Sequence, residues 1–185
     1  MATDYSRDVE HEEMIQLFER IVGEILKLQG KVELLRSFGA EPELWLRNEI
    51  ALSLHQTLGV HVRCEVRYEG ENQRLDLHVV GTRQAYFIEL KVEDRNSSSM
   101  IQPLVSDAKK IMRFVPEANT DKPVVRCLLA VGFTSKEGAK LSRAATSELV
   151  PNPARICRQQ GSMTVMIVGL EQRRPPVSGS GPRRW

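Results

Sequence analysis

Apolar and polar positions repeat along the chain with two different periods, and the switches between them mark the elements. Over residues 8–36, Met14, Phe18, Ile21, Ile25, Leu28, Val32 and Leu35 fall alternately four and three apart, the stripe of a long N-terminal helix. Ile15 and Val22 widen its first half, which suits packing on a domain core, while the narrower second half suits a coiled-coil seam. The segment is therefore expected either to cover its own domain or to build a homodimer. Gly23 and Gly30 each weaken a helix by about 1 kcal/mol relative to Ala, so a break or bend is expected near Gly30. Residues 37–40 read as a connection, and Glu41-Pro42-Glu43 as the first turn of a second helix running to about residues 55–58. Leu44, Trp45, Ile50, Leu52, Leu54 and Leu58 surround much of that helix and predict that it is well buried.

Gly59 closes the helix, and the period becomes two. Val60, Val62, Cys64, Val66 and Tyr68 share one face of a strand, with His61, Arg63, Glu65 and Arg67 on the other. Residues 73–80 and 85–92 predict a hairpin, with Leu75, Leu77 and Val79 opposite in face to Arg74, Asp76 and His78, and Ile88, Leu90 and Val92 opposite to Glu89 and Lys91. Register decides what meets. Pairing Val80 with Ala85 across a loop of residues 81–84 sets Asp76 directly opposite Glu89; a two-residue Gly81-Thr82 loop makes them diagonal neighbours, and an odd-length loop separates them.

A polar loop over residues 93–99 ends in capping serines, and a helix is expected over about residues 99–114, with Pro103 in or near its first turn and Ile101, Leu104, Val105, Ala108, Ile111, Met112 and Val115 as its stripe. The apolar run 124–133 predicts a strand buried on both faces at the sheet centre. Thr134-Ser135-Lys136-Glu137 opens another helix to about Leu149, Pro151 and Pro153 stop it, and residues 163–170 form a last strand. Residues 171–185 combine Pro175-Pro176, Ser178-Gly179-Ser180-Gly181 and four arginines, the pattern of a mobile basic tail. The expected division is an N-terminal helical segment over 1–40, one domain over 41–170, and the tail.

Composition narrows the setting. The 185 residues are 41% hydrophobic with a formal charge of +2, enough for one domain with a buried core and too neutral to coat nucleic acid through bulk electrostatics. No run is long and apolar enough to span a membrane, and the acidic, polar residues 1–13 are unlike a signal peptide, so the expected location is cytoplasmic. Cys64, Cys127 and Cys157 lack metal-ligand spacing and read as core thiols. His61 and His78 have no ligand partners at useful spacing and are expected to be solvated.

Two carboxylates side by side repel unless a cation or a shared proton compensates, and Mg²⁺ is a common solution with a few carboxylate oxygens and retained waters. Asp76, twelve intervening residues and Glu89-Leu90-Lys91 resemble the signature of the PD-(D/E)XK nuclease superfamily, with Leu75 in the place usually written as proline. The resemblance implies an α/β fold: a restriction-endonuclease-like α-β-β-β-α-β core with a mixed central sheet, here preceded by the long helix. The element order read from periodicity (helix, helix, three antiparallel strands, helix, strand, helix, strand) agrees with that core. It also implies phosphodiester hydrolysis of nucleic acid, DNA before RNA, with Mg²⁺ or Mn²⁺ held by Asp76, Glu89 and the Leu90 carbonyl, and Lys91 beside the attacking water. Many members add a glutamate from the helix before the first strand, the place that Glu49 takes in the order of elements; the plainer reading of Glu49 is an exposed partner of an arginine such as Arg47.

Ser98 and Ser99 at a helix start are candidates to hold a phosphate, and Gln102, Lys109 and Lys110 to touch a nucleic-acid backbone. Two other readings stand beside the nuclease. One is a non-catalytic nuclease-like binding or assembly module acting as a dimer; the other is a dimeric interaction protein organised by residues 8–36.

Overall fold

The computed structural model describes residues 3–70, 72–94, 99–113, 122–146 and 154–170. The N-terminal stripe forms two helices, α1 (Thr3–Lys27) and α2 (Gln29–Ser37). The break falls at Leu28, two residues before Gly30, where the Leu28 N–H turns back to the Ile25 carbonyl at 3.0 Å. A third helix, α3 (Pro42–Leu58), carries Pro42 in its first turn and ends at Gly59. Gly59 takes a left-handed φ of 63° while its N–H donates to the His55 carbonyl, a stop that a side chain would oppose.

Three strands follow, β1 (His61–Arg67), β2 (Arg74–Val80) and β3 (Ala85–Val92), then α4 (Ile101–Arg113), β4 (Val124–Gly132), α5 (Ser135–Thr146), β5 (Arg155–Gln160) and β6 (Met163–Leu170). The sheet runs β1-β2-β3-β4-β6-β5 and is mixed: β3 and β4 are parallel, every other neighbouring pair antiparallel. A parallel neighbour needs a crossover, and α4 supplies it. The fold is thus α/β with a helical N-terminus, as the periodicity predicts.

Strand β5 is missing from the sequence reading. It is an edge strand with only Ile156 buried, so its residues carry little apolar alternation; its turn into β6 uses Gly161 at φ 54°. The expected ends of α4 at residue 114 and α5 at Leu149, Ser98 and the tail 171–185 lie outside the described residues.

Helices α1 to α3 cover one face of the sheet. Phe18, Ile21, Ile25 and Val32 join Leu46, Ile50 and Leu54 over Leu77, Val79, Ile88, Leu90, Leu129 and Ile167 in one core. Each such side chain contributes about 1.5–3 kcal/mol of burial. The N-terminal stripe thus faces the chain's own sheet. Helix α3 is less enclosed than its leucines suggest: Leu44, Leu52 and Leu58 stay exposed, because only one side of the helix meets the sheet. Helices α4 and α5 cover the opposite face, where Ile111 packs with Phe87 and Leu128, and Leu104 and Leu141 with Ala130.

Strict alternation fails at one point. Val62 and Cys64 pack toward the first face, whereas Val66 and Tyr68 pack into the cluster under α4; on β2, Leu77 and Leu75 divide in the same way. Between them Glu65 has φ 54°, a left-handed conformation unfavourable for a residue with a Cβ. The kink rotates the far halves of β1 and β2 together. Its acidic side chain is held by Arg47 Nη2 at 3.0 Å and Arg74 Nη1 at 3.0 Å.

Candidate active site between β2 and β3

Val80 pairs with Ala85, so the loop is the four-residue one, and the same register carried one position past the pairs made would set Asp76 opposite Glu89. The last pair made is Leu77 with Ile88, after which the strands part. β3 keeps its other edge on β4 through Glu89, Lys91 and their partners Leu128 and Ala130. The N–H groups that point into the split are taken by acidic side chains: Leu90 N donates to Asp76 Oδ2 at 2.8 Å, and Val92 N to Glu43 Oε2 at 3.2 Å. Because the N–H and C=O of one strand residue share an edge, the Leu90 carbonyl opens into the same split.

Charged side chains from four elements meet there. Asp76 Oδ1 accepts from Arg47 Nη1 at 3.1 Å, Lys91 Nζ lies 3.1 Å from Glu43 Oε2, and Lys110 Nζ lies 2.8 Å from Glu89 Oε2 and 3.6 Å from Asp107 Oδ1. The Tyr68 hydroxyl donates to Glu89 Oε1. Glu89 is 3% exposed; burial first, then the Asp76 charge, push its carboxyl up to about 8 against the opposing pull of Lys110 and Tyr68. Burial also raises Asp107, with Asp76 adding to it and Lys110 and Lys91 opposing. For Lys91 burial acts downward, but Glu43, Asp107 and Asp76 outweigh it and hold the ammonium charged above the usual lysine range. For Lys110 burial again acts downward and is outweighed by Glu89, Asp107 and Asp76, which raise it.

Asp76, Glu89, Leu90 and Lys91 are therefore brought to one place, and Lys110 with them. Lys110 points into the split, not outward as a backbone-contact side chain. Gln102 and Lys109 stay exposed on α4, and the Ser99 hydroxyl accepts from the Ile101 N–H at 3.3 Å where the chain enters that helix. Glu49 does not join: it sits about 200° around the helix from Arg47 and forms no hydrogen bond or ion pair with the cluster. Arg47, its suggested partner, pairs with Asp76 and Glu65 instead. The α3 acid that reaches the site is Glu43.

Sequence reasoning misses Glu43, Arg47, Tyr68 and Asp107. For the helical residues a signal exists. Two turns of α3 separate Glu43 from the buried Ile50, and Arg47 from the buried Leu54, which puts both charged residues on the buried side of the helix; Asp107 stands one turn after Leu104 on α4. Tyr68 reads as an apolar strand residue, and only the kink at Glu65 turns it under Glu89. His78, expected to be solvated, is 2% exposed and edge-on to Phe87 with ring centroids 5.1 Å apart. Neither of its ring nitrogens has a hydrogen-bond partner, and burial lowers its pKa. Cys127 is buried, and Cys64 and Cys157 are half-buried.

Among the described residues no group of three or more His, Cys, Asp or Glu side chains is placed to hold a metal ion. Mg²⁺ makes a smaller demand, being commonly held by one or two carboxylates with waters and substrate oxygens; Asp76, Glu89 and the Leu90 carbonyl are the groups that could meet it, and Arg47 and Lys110 hydrogen-bond to the two carboxylates. No helix of the described residues is long and apolar enough to cross a membrane. No protein-family model, curated protein or solved structure gives a significant match to this chain.

Proposed function

We propose that this chain is a metal-dependent nuclease that hydrolyses phosphodiester bonds of nucleic acid, DNA before RNA. One observation supports the reading: Asp76 and Glu89 each lie one position past the last pair between β2 and β3, near enough for the Asp76 charge to act on Glu89 and on Lys91. Burial first, and then the Asp76 charge, raise the Glu89 carboxyl to about 8, a perturbation of the kind that gathers at functional sites.

Asp76, Glu89 and the Leu90 carbonyl would hold Mg²⁺ or Mn²⁺. A bound divalent ion supplies a water of lowered pKa and neutralises charge on the phosphoryl oxygens. Lys91, held protonated by Glu43, Asp107 and Asp76, is a hydrogen-bond donor and not a base; its part is to orient the water and to meet negative charge developing on the phosphate. Tyr68 fixes Glu89 Oε1, leaving Oε2 as the oxygen that can change partner. Arg47 and the Leu90 N–H fix the Asp76 carboxylate from two sides.

The test is incubation of the purified chain with plasmid, linear and branched DNA and with RNA, in Mg²⁺, Mn²⁺ or chelator, beside Asp76→Asn. Cleavage by the wild type alone, stopped by chelator, is the expected result; equal residual cleavage by both proteins would trace it to a contaminant. A second reading has its own support. Asp76, Glu89 and Lys91 each already face an opposite charge of the chain, Arg47, Lys110 and Glu43, as they would in a non-catalytic nuclease-like module. That reading expects no Mg²⁺ or Mn²⁺ binding at all.

A further inference from the structure

Beside the split, positive charge gathers without enough acid to meet it. Arg67 of β1 and Arg74 of β2 are paired in register, which sets two exposed guanidinium side chains directly opposite each other. The kink at Glu65 decides where they stand. Val66, Tyr68 and Leu75 pack into the cluster under α4, so Arg67 and Arg74, which alternate with them, project to the opposite face, that of Asp76 and α3. Arg63, before the kink, projects to the α4 face with its register partner His78, which lies edge-on to Phe87. A regular β1 would have kept Arg63 and Arg67 on one face. Like charges directly opposite in a sheet are destabilising unless something compensates them. Arg74 Nη1 lies 3.0 Å from Glu65 Oε2, but Glu65 also serves Arg47 Nη2 at 3.0 Å, and Arg47 in turn pairs with Asp76. Among the described residues Arg67 forms no ion pair, and Glu69 in the turn beyond pairs with neither strand arginine.

We infer that Arg67 and Arg74 form a phosphate-binding contact that grips the nucleic-acid backbone next to the phosphate at Asp76. The choice of ligand rests on the nuclease reading. Arg74 and Asp76 are two residues apart on one strand, about 6–7 Å along it, so a phosphate on the arginines and one at Asp76 would belong to the same stretch of backbone. A guanidinium is a rigid fork that meets two phosphate oxygens at once, and β1 is the edge of the sheet, so no further strand stands in the way. The formal charge of the chain is only +2, so affinity for a polyanion has to come from a local group such as this pair. Glu65 is then a positioning residue: its left-handed backbone turns Arg67 to the face of Asp76, and its carboxylate steadies Arg74. A contact away from the reacting bond holds substrate and transition state alike, so it acts on KM and not on kcat.

The experiment measures binding of a short fluorescein-labelled DNA duplex by anisotropy, in chelator so that nothing is cut, over a series of salt concentrations. Wild type is compared with Arg67→Ala, Arg67→Lys and Arg63→Ala, all at exposed positions. Arg67→Ala should weaken binding about tenfold and lower the slope of log affinity against log salt by about 1. Arg67→Lys should keep the slope and lose part of the affinity, because it keeps the charge without the fork. Arg63→Ala, on the same strand but the other face, should match wild type. Wild-type affinity and slope in Arg67→Ala, an equal loss in Arg63→Ala, or no binding by wild type overturns the inference. The same proteins are then given Mg²⁺. Binding without cleavage by wild type defeats the nuclease reading and leaves the phosphate contact standing. Where wild type cleaves, Arg67→Ala should raise KM and keep kcat within about twofold; a fall in kcat at unchanged KM overturns the inference while the nuclease reading stands.

Discussion

At Glu89 burial and neighbouring charge act against the two hydrogen bonds that the side chain receives. Its carboxyl titrates near the usual carboxylate value of 4.5 in an unfolded chain and at about 8 in the folded one. A folded-state pKa above the unfolded one means stability that is fully present below about 4.5 and lost as pH rises through about 8. Glu89→Gln keeps the shape and removes the titration. Relative to wild type the variant should therefore gain thermal stability as pH rises from about 4.5 to about 8 and level off above it, read from melting temperatures at several pH values; a difference that does not move with pH would show that the side chain is not titrating in this range. Lys91 is a contrasting case. Its ion pair with Glu43 is about a third exposed on both sides, so Lys91→Ala should change stability by less than about 1 kcal/mol. Its loss as a donor should lower kcat on DNA by about 100- to 1,000-fold, measured beside the melting temperature. A parallel collapse of both would make Lys91 a structural residue.

Among the elements, those with a strong period are legible in the sequence and those that break it are not. The hairpin of β2 and β3 shows both its faces and its register options, because Ile88, Leu90 and Val92 must be buried for the strand to pack at all. Periodicity makes β1 and β2 regular to their ends, and no residue type in the sequence marks Glu65 as left-handed; the kink is held by the pairing of Glu65 with Arg47 and Arg74, residues far from it along the chain. β5 leaves too weak a trace, one buried side chain in an edge strand. The order of elements points to Glu49, whereas helix periodicity favours Glu43, which shares the buried side with Arg47, Ile50 and Leu54. The N-terminal stripe leaves two packings open, and a core test separates them. Phe18 is fully buried against the sheet, so Phe18→Ala should destabilise the chain by about 3–5 kcal/mol in chemical denaturation. Leu34, 55% exposed on α2, should tolerate Ala within about 0.5 kcal/mol. Equal small effects would mean that the stripe faces a partner and not this sheet.

For the whole molecule, the proposed ion binding would be linked to folding. Asp76 and Glu89 come from β2 and β3, and Arg47 and Lys110, which pair with them, come from α3 and α4 on opposite faces of the sheet. An ion that bridges Asp76 and Glu89 would replace contacts tying both helix layers to the sheet, and it would bind the folded chain far better than the unfolded one, where those residues are not gathered. With free ion at about a hundred times its dissociation constant, the folded state gains about 2.7 kcal/mol. For a chain of this length, that corresponds to a rise in melting temperature of about 5–11 °C. The rise should appear with Mg²⁺ or Mn²⁺, follow the logarithm of free ion concentration, and vanish in Asp76→Asn. An equal rise in that variant would locate the ion elsewhere on the chain. Its complete absence in wild type would leave the split as a network of internal ion pairs, with Arg47, Lys110 and Glu43 as the permanent partners of Asp76, Glu89 and Lys91.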